Sequence, residues 1–404
     1  MSAALKAGRP RLLFVSPRFL FPLDQGGKIR TANILRGMKG GAFEITLAAP
    51  APTPDAHAAE IGAICDHFLA WPEPHAGLLD KLLMLPGKLP IPVATDRSAA
   101  GSKVVADALA DRPDVVVVDF PHAAVLLPDH IAAPSVMFTH NIEAEIFERH
   151  AAVAKFPQRL IWQNQARKMR GFEGDTLRRF DRVVAVSARD GDGLRAQFGL
   201  STIDLIDTGV DLDFYPYTPP PADPIIVFSG AMDGRANIDG IAFLMDEIWP
   251  LMARDRPNLR ALIVGRNPLA AMVAEAAKRG LPWHFTGFVD DIRPHVQSGC
   301  VSIIPLRVGS GTRIKAFEAM ALGRPVVSTT LGVEGLDITP GEHFLAADSA
   351  ADFAAAVLRL VDDAALRERL ATAARARVEA RFSWAHVARQ FEAICQRALE
   401  GRTT

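Results

Sequence analysis

The chain has 404 residues, 49% of them hydrophobic, more than one ordinary core accommodates, which predicts two domains. Its 45 basic and 46 acidic residues leave a formal net charge of −1, so neither bulk nucleic-acid binding nor a polyanionic partner is expected. Cys65, Cys300 and Cys395 are too dispersed for a disulfide framework or a metal site; no run nears the ~20 apolar residues of a bilayer span and residues 1–10 lack a signal-like core, so a cytoplasmic location is expected.

Short apolar runs alternate with helical patterns from end to end, the mark of parallel α/β construction. In the first half the predicted strands are Arg11–Ser16, Glu44–Ala48, Val115–Asp119, Ser135–Thr139 and Arg182–Ser187. The unbroken Val115-Val116-Val117-Val118 indicates burial on both faces. After the first strand, Gly26-Gly27 opens a helix, where freed backbone N–H groups make an anion or hydroxyl site with Lys28 and Arg30 beside it. Leu78–Pro86 is apolar and carries Lys81, with Lys88 just beyond, a pattern shared by core segments and interfacial patches. A peripheral contact with the inner face of the membrane is therefore carried as an expectation.

His140 follows a predicted strand directly, and Asp119 ends the one before; Asn141 or Glu143 is expected to cap the next helix. A long helix is predicted near Gln158–Arg179, its basic residues read as a solvated face paired with Glu173 and Asp175 or as a headgroup-attracting one. The stretch from Tyr215 to Pro224 holds five prolines and reads as a stiff linker. The expected division is 1–215, a linker 216–224, 225–380, and a terminal helix 381–404 that returns to the first domain.

Beyond the prolines the predicted strands are Ile225–Gly230, Leu259–Val264, His284–Thr286, Val301–Pro305 and Pro325–Ser328. Helices are predicted near Ile238–Arg254, Leu269–Arg279, Thr312–Leu322 and Ala350–Val361, then Ala364–Ala380 and Trp384–Glu400. The fold class expected is α/β, two doubly wound Rossmann-like domains facing across a cleft, with ligands at the carboxyl ends of the strands. Neither half opens with Gly-x-Gly-x-x-Gly, which disfavours a dinucleotide dehydrogenase.

The segment from Val301 to Val327 is a strand, a glycine-rich turn and a helix. Gly309 and Gly311 let the backbone approach a ligand, and the helix start around Gly311–Arg313 favours an anion. Arg313 and Lys315 put two cations in the first turn, where the dipole disfavours them unless a bound phosphate compensates. Lys315 and Glu318 lie about one turn apart on one face, ~5 Å along the axis. That spacing suits Lys315 on a diphosphate and Glu318 on ribose hydroxyls; an exposed ion pair is the bland alternative.

With Glu318-Ala-Met-Ala-Leu-Gly-Arg-Pro-Val326, the chain resembles the retaining GT-B glycosyltransferases of group 1 and family 4. Asp207–Tyr215, Val264–Pro268 and Thr286–Ile292 extend the likeness, which is similar to a subgroup with a Gly-Thr-Arg-Ile-Lys motif in bacterial polysaccharide synthesis. The resemblance implies hexosyl transfer from a UDP- or GDP-sugar to a saccharide or lipid-linked saccharide in cell-surface polysaccharide synthesis. It implies retention of anomeric configuration, no metal, and no cofactor beyond the nucleotide-sugar substrate. His140 would lie against the donor hexose, and Gly287 and Phe288 would meet the base. Asp211-Leu-Asp213 is read as a turn.

Two departures stand out. Ser310 replaces the first glutamate of the family's Glu-x7-Glu, and Ala231 and Asn237 stand near the places of an Arg…Lys pair after the second domain's first strand. Arg235 is one substitute for that pair, and Arg313 with Lys315 are the preferred ones, with Thr312 completing the turn. Two alternatives remain open: a sugar-nucleotide 2-epimerase, and a non-catalytic sugar-nucleotide-binding protein.

Overall fold

The computed structural model describes residues 8–401 apart from 24, 53, 155 and 309–313. Residues through Asp207, together with those from Trp384 on, form one compact unit, and Thr208–Ser383 form the other.

The first unit is built on β1 (Arg11–Val15), β2 (Glu44–Pro50), β3 (His67–Trp71), β4 (Val115–Asp119), β5 (Ser135–Phe138), β6 (Arg182–Ala185) and β7 (Ile203–Leu205). All pair in parallel, in the order β3-β2-β1-β4-β5-β6-β7. Val115–Val118 are fully buried, as an apolar run covered by helices on both faces requires. The order reverses between β1 and β4, which marks where such a sheet opens to ligands.

The C-terminal helix, Trp384–Gly401, packs on the helix Gly26–Met38. A Cβ on Gly37 would sit 2.4 Å from the Ala388 Cβ, so a glycine is required for this approach. Phe391 meets Phe138 edge-on at 4.9 Å, and Glu392 accepts from the Ala42 N–H at 2.6 Å.

The second unit repeats the plan with β8 (Ile225–Ser229), β9 (Arg260–Val264), β10 (Trp283–Phe285), β11 (Val301–Ile304), β12 (Val326–Ser328) and β13 (Leu345–Ala346). Their order is β10-β9-β8-β11-β12-β13, so the reversal falls between β8 and β11. The helix expected at Ile238–Arg254 runs from Arg235 to Asp255 with a π turn at Leu244–Ile248 just before Pro250. A proline has no N–H for the regular ladder, and the wider turn absorbs the mismatch.

The proline-rich stretch lies inside this second unit. Arg324, fully buried, donates to the carbonyls of Gln297 (2.9 Å), Gly299 (3.1 Å), Leu322 (3.2 Å) and Thr218. Burial pulls its guanidinium down to about 10, and the ring of carbonyls accepts from both of its Nη atoms. Gly323, at φ +77°, has no room for a side chain against Thr218. No helix among the described residues is long and apolar enough to cross a membrane.

Candidate active site

In the second unit, the ends of β8 and β9 carry two glycines that must be glycines. Gly230 has φ +147°, and its Cβ would meet Asn237 Nδ2 at 2.7 Å and Lys315 Nζ at 3.1 Å. Gly265 has φ +150°, and its Cβ would lie 1.7 Å from the Gly230 carbonyl oxygen. The two strand ends therefore touch through backbone alone, held by Gly230 N–H to Val264 O at 2.9 Å and Met232 N–H to Arg266 O at 2.9 Å.

Lys315 stands in the helix Ile314–Ala321, which follows β11. Its ammonium reaches the end of β8, where it donates to Asn237 Oδ1 at 2.8 Å and lies 4.4 Å from the centre of the Phe228 ring. The cation thus sits at the reversal of strand order, beside the glycine pair. Glu318, one turn further along the same helix, is not an exposed partner of Lys315. It is half-buried, and its Oε1 accepts from the Tyr215 hydroxyl at 2.7 Å. Burial pushes its carboxyl up, opposed by that hydrogen bond and by Lys315.

Arg235 opens its helix with an exposed side chain, whereas Asn237, two residues on, seats the lysine. Gly287 adopts φ +69° with open space around it, bridged to Gly265, and Phe288 is 73% exposed. The turn with Gly309, Ser310, Gly311, Thr312 and Arg313 lies outside the described residues. Asp211 Oδ1 accepts from the N–H groups of Asp213 (3.1 Å) and Phe214 (2.9 Å), which makes Asp211-Leu-Asp213 an Asx turn.

In the first unit, a buried polar cluster forms where β1 and β4 end. Asp119 Oδ1 lies 2.7 Å from His140 Nε2, and its Oδ2 accepts from Ser16 Oγ and Thr31 Oγ1, each at 3.1 Å. Arg30 Nη1 is 3.2 Å from His140 Nδ1, so Nδ1 accepts there and Nε2 carries the proton toward Asp119. Burial holds the imidazole below its usual range despite Asp119, and Arg30 adds to the lowering. Burial likewise pulls Arg30 down to about 10.

Phe120, at φ +63°, stacks on His140 at 4.1 Å. A Cβ on Gly27 would lie 2.7 Å from the Phe120 ring, whereas Gly26 has open space. Gly27 therefore admits the ring that covers the histidine. Composition and spacing point to His140, Gly26, Gly27 and Arg30; they do not reveal Ser16, Thr31 or Phe120, whose contacts with Asp119, His140 and Gly27 join residues distant in the chain.

A second buried cluster adjoins it. His122 lies 3.6 Å from Asp96 and 3.4 Å from Glu143. Burial alone would lower it, yet the two carboxylates outweigh that and raise it to about 9. Neither Asn141 nor Glu143 caps the helix Glu143–Val153. Glu173 does so instead, accepting from the N–H groups of Glu143 (2.8 Å) and Ala144 (2.9 Å). That corrects the reading of Glu173 as part of a solvated face: burial lifts it to about 7, and Arg170 pairs with Glu148.

Comparison with known proteins places these clusters in context. Residues 25–214 match the family model described as Glycosyltransferase Family 4, and residues 223–363 match that described as Glycosyl transferases group 1. The glycogen synthase of Mycobacterium tuberculosis (strain H37Rv of that species) is 26% identical over 295 residues, 69% of this chain and 67% of that protein. Among solved structures, Anabaena Alr3699/HepE in complex with UDP and glucose superposes with a TM-score of 0.59 at 18% identity, covering 96% of this chain and 99% of that one. WaaG, a glycosyltransferase involved in lipopolysaccharide biosynthesis, gives a TM-score of 0.56 at 16% identity, covering 95% and 99%.

Proposed function

Because the chain belongs to the group 1 and family 4 glycosyltransferases and has the GT-B fold, we propose that it moves a hexosyl unit from a UDP- or GDP-sugar to a saccharide or lipid-linked saccharide. The observation that carries this reading is the seat of Lys315: an ammonium at the strand reversal, fixed by Asn237 beside the Gly230–Gly265 contact. Compact backbone, a fixed cation and a nearby carboxylate fit a nucleoside diphosphate, with the diphosphate at Lys315 and ribose hydroxyls at Glu318. Alr3699/HepE, similar in fold, is seen with UDP and glucose.

In the transfer, the bond from the anomeric carbon to the diphosphate breaks and a bond to the acceptor oxygen forms. The acceptor's hydroxyl proton passes to the departing phosphate oxygen, on the same face, which gives retention. The departing diphosphate gains negative charge as its bond breaks. Lys315 neutralises that charge from a prearranged position and needs no metal to do so. Arg313 and the Gly309–Thr312 turn have the chemistry to share this role. His140, held by Asp119 and Arg30 in one orientation, supports the sugar side of the reaction.

Cell-surface polysaccharide synthesis is the role this reading favours, in keeping with the lipopolysaccharide role of WaaG. Peripheral contact with an anionic membrane belongs to the same reading. Leu79 and Leu83 are 76% and 79% exposed on the helix Leu78–Met84, with Lys81 and Lys88 exposed close by. Calorimetric titration with a panel of UDP- and GDP-sugars tests the donor assignment. Saturable binding followed by transfer to an added acceptor is the expected result. Donor conversion without acceptor means an epimerase, and binding without turnover under any acceptor means a sensor.

A further inference from the structure

The Glu318 carboxylate has the Tyr215 hydroxyl as its one hydrogen-bond partner among the described residues. The segment that delivers Tyr215 is fixed unusually well for a loop. Val210 N–H donates to Phe382 O at 2.7 Å, the Asp211 Asx turn sets the next residues, and Tyr215 N–H closes onto Asp211 O at 2.9 Å. Arg293 stacks over the Phe214 ring at 4.0 Å and donates to the Phe214 carbonyl at 3.0 Å. Arg375 donates both to Tyr215 O (2.7 Å) and to Ala321 O (2.6 Å), and Ala321 ends the helix that carries Glu318. One guanidinium therefore ties the backbone of the hydroxyl donor to the helix of its acceptor.

From this geometry, and resting on the donor-site reading above, we propose that Tyr215 is a positioning residue that engages one oxygen of Glu318 and turns the other toward the two hydroxyls of a ribose. An ionised carboxylate only accepts, with about four lone-pair directions, so occupying one oxygen fixes the plane of the group and the aim of the other. Burial and the neighbouring Glu318 push the Tyr215 phenol up, which keeps it a donor throughout the neutral range. The ligand class is a nucleoside diphosphate with an intact ribose, and Tyr215 sets the discrimination against one lacking those hydroxyls.

The test compares wild-type protein with Tyr215→Phe by titration, using whichever of UDP and GDP binds more tightly, the same nucleotide lacking both ribose hydroxyls, and inorganic pyrophosphate. In the wild type the dideoxy nucleotide binds about tenfold more weakly. In Tyr215→Phe that ratio falls toward one while pyrophosphate affinity is unchanged, a pattern that general loosening of the fold does not produce. On a Glu318→Gln background, Tyr215→Phe has no further effect on the ratio. A ratio preserved in Tyr215→Phe overturns the proposal and leaves the donor site standing. Tighter nucleotide binding also overturns it, because Tyr215 is then a competitor. If neither UDP nor GDP binds the wild type, the donor-site reading falls and takes this proposal with it.

Discussion

Lys315 Nζ donates to Asn237 Oδ1 at 2.8 Å, joining the helix after β11 to the first turn of the helix after β8. The segment that lacks the family's cation pair receives a cation from elsewhere, and the asparagine that stands there is its seat. Lys315→Ala should weaken nucleoside diphosphate binding and lower turnover by about 10²–10³-fold. Asn237→Ala should cost less, about three- to tenfold in affinity, because the ammonium remains but is no longer aimed. Titration and initial rates check both, and unchanged values for Lys315→Ala would refute the site.

His140 is held on both ring nitrogens and covered by Phe120, so its substitution frees Asp119 and Arg30 together. For His140→Ala we expect turnover to fall by about 10²-fold while donor affinity changes little. Asp119→Asn should follow in the same direction by disturbing the tautomer. Equal losses in kcat and donor affinity would assign the cluster to general stability instead.

Gly27→Ala places a methyl group 2.7 Å from the Phe120 ring, closer than real contacts allow. The ring must move off His140, at about 1–3 kcal/mol in stability and with a loss of turnover. Gly26→Ala, with open space around it, is the control and should keep wild-type thermal unfolding.

The His122 cluster makes stability fall with rising pH. His122 sits at about 9 in the folded state, above its ordinary 6.5, so its contribution is complete below pH 6.5 and lost as pH rises through 9. Glu173, lifted from 4.5 to about 7, acts in the same sense in a lower window. Thermal unfolding between pH 6.5 and 9 should lose on the order of 1–3 kcal/mol, and His122→Asn should flatten that slope while lowering stability at neutral pH. A slope that survives the substitution would locate the titration elsewhere.

Leu79 and Leu83 test the membrane reading. Wild-type protein should sediment with vesicles of phosphatidylglycerol and phosphatidylcholine at low salt and not with phosphatidylcholine alone. Leu79→Glu with Leu83→Glu should reduce that binding at least about tenfold, from the apolar area lost. Equal binding to neutral vesicles, or none to either, would refute it.

Much of the fold was legible because buried parallel strands are continuous apolar runs: β4 coincides with Val115–Asp119 residue for residue. The strands passed over, β3, β7 and β13, are edges of two to five residues with half-exposed patterns, and an edge strand has no covered second face to demand such a run. The same logic holds at the sites. Lys315, Glu318 and His140 stand in local motifs, so spacing exposes them. Tyr215, Asn237, Arg30 and Thr31 become meaningful through contacts across 78 to 110 positions, which no local pattern records.

The grip of Arg324 on Thr218 bears on how the molecule can be cut. A fragment opening at Ile225 would strand a buried guanidinium without one of its acceptors and would take Tyr215 from Glu318. A fragment from Thr208 to Ser383 keeps both, so the first half of the proline stretch belongs to the folded body and is no spacer. The same boundaries make the second unit an insertion in the chain of the first, whose N-terminal portion and last helix meet where Gln390 accepts from the Asp207 N–H at 3.3 Å. Excising Thr208–Ser383 and joining Asp207 to Trp384 is therefore the deletion that leaves a sheet with its covering helix still attached.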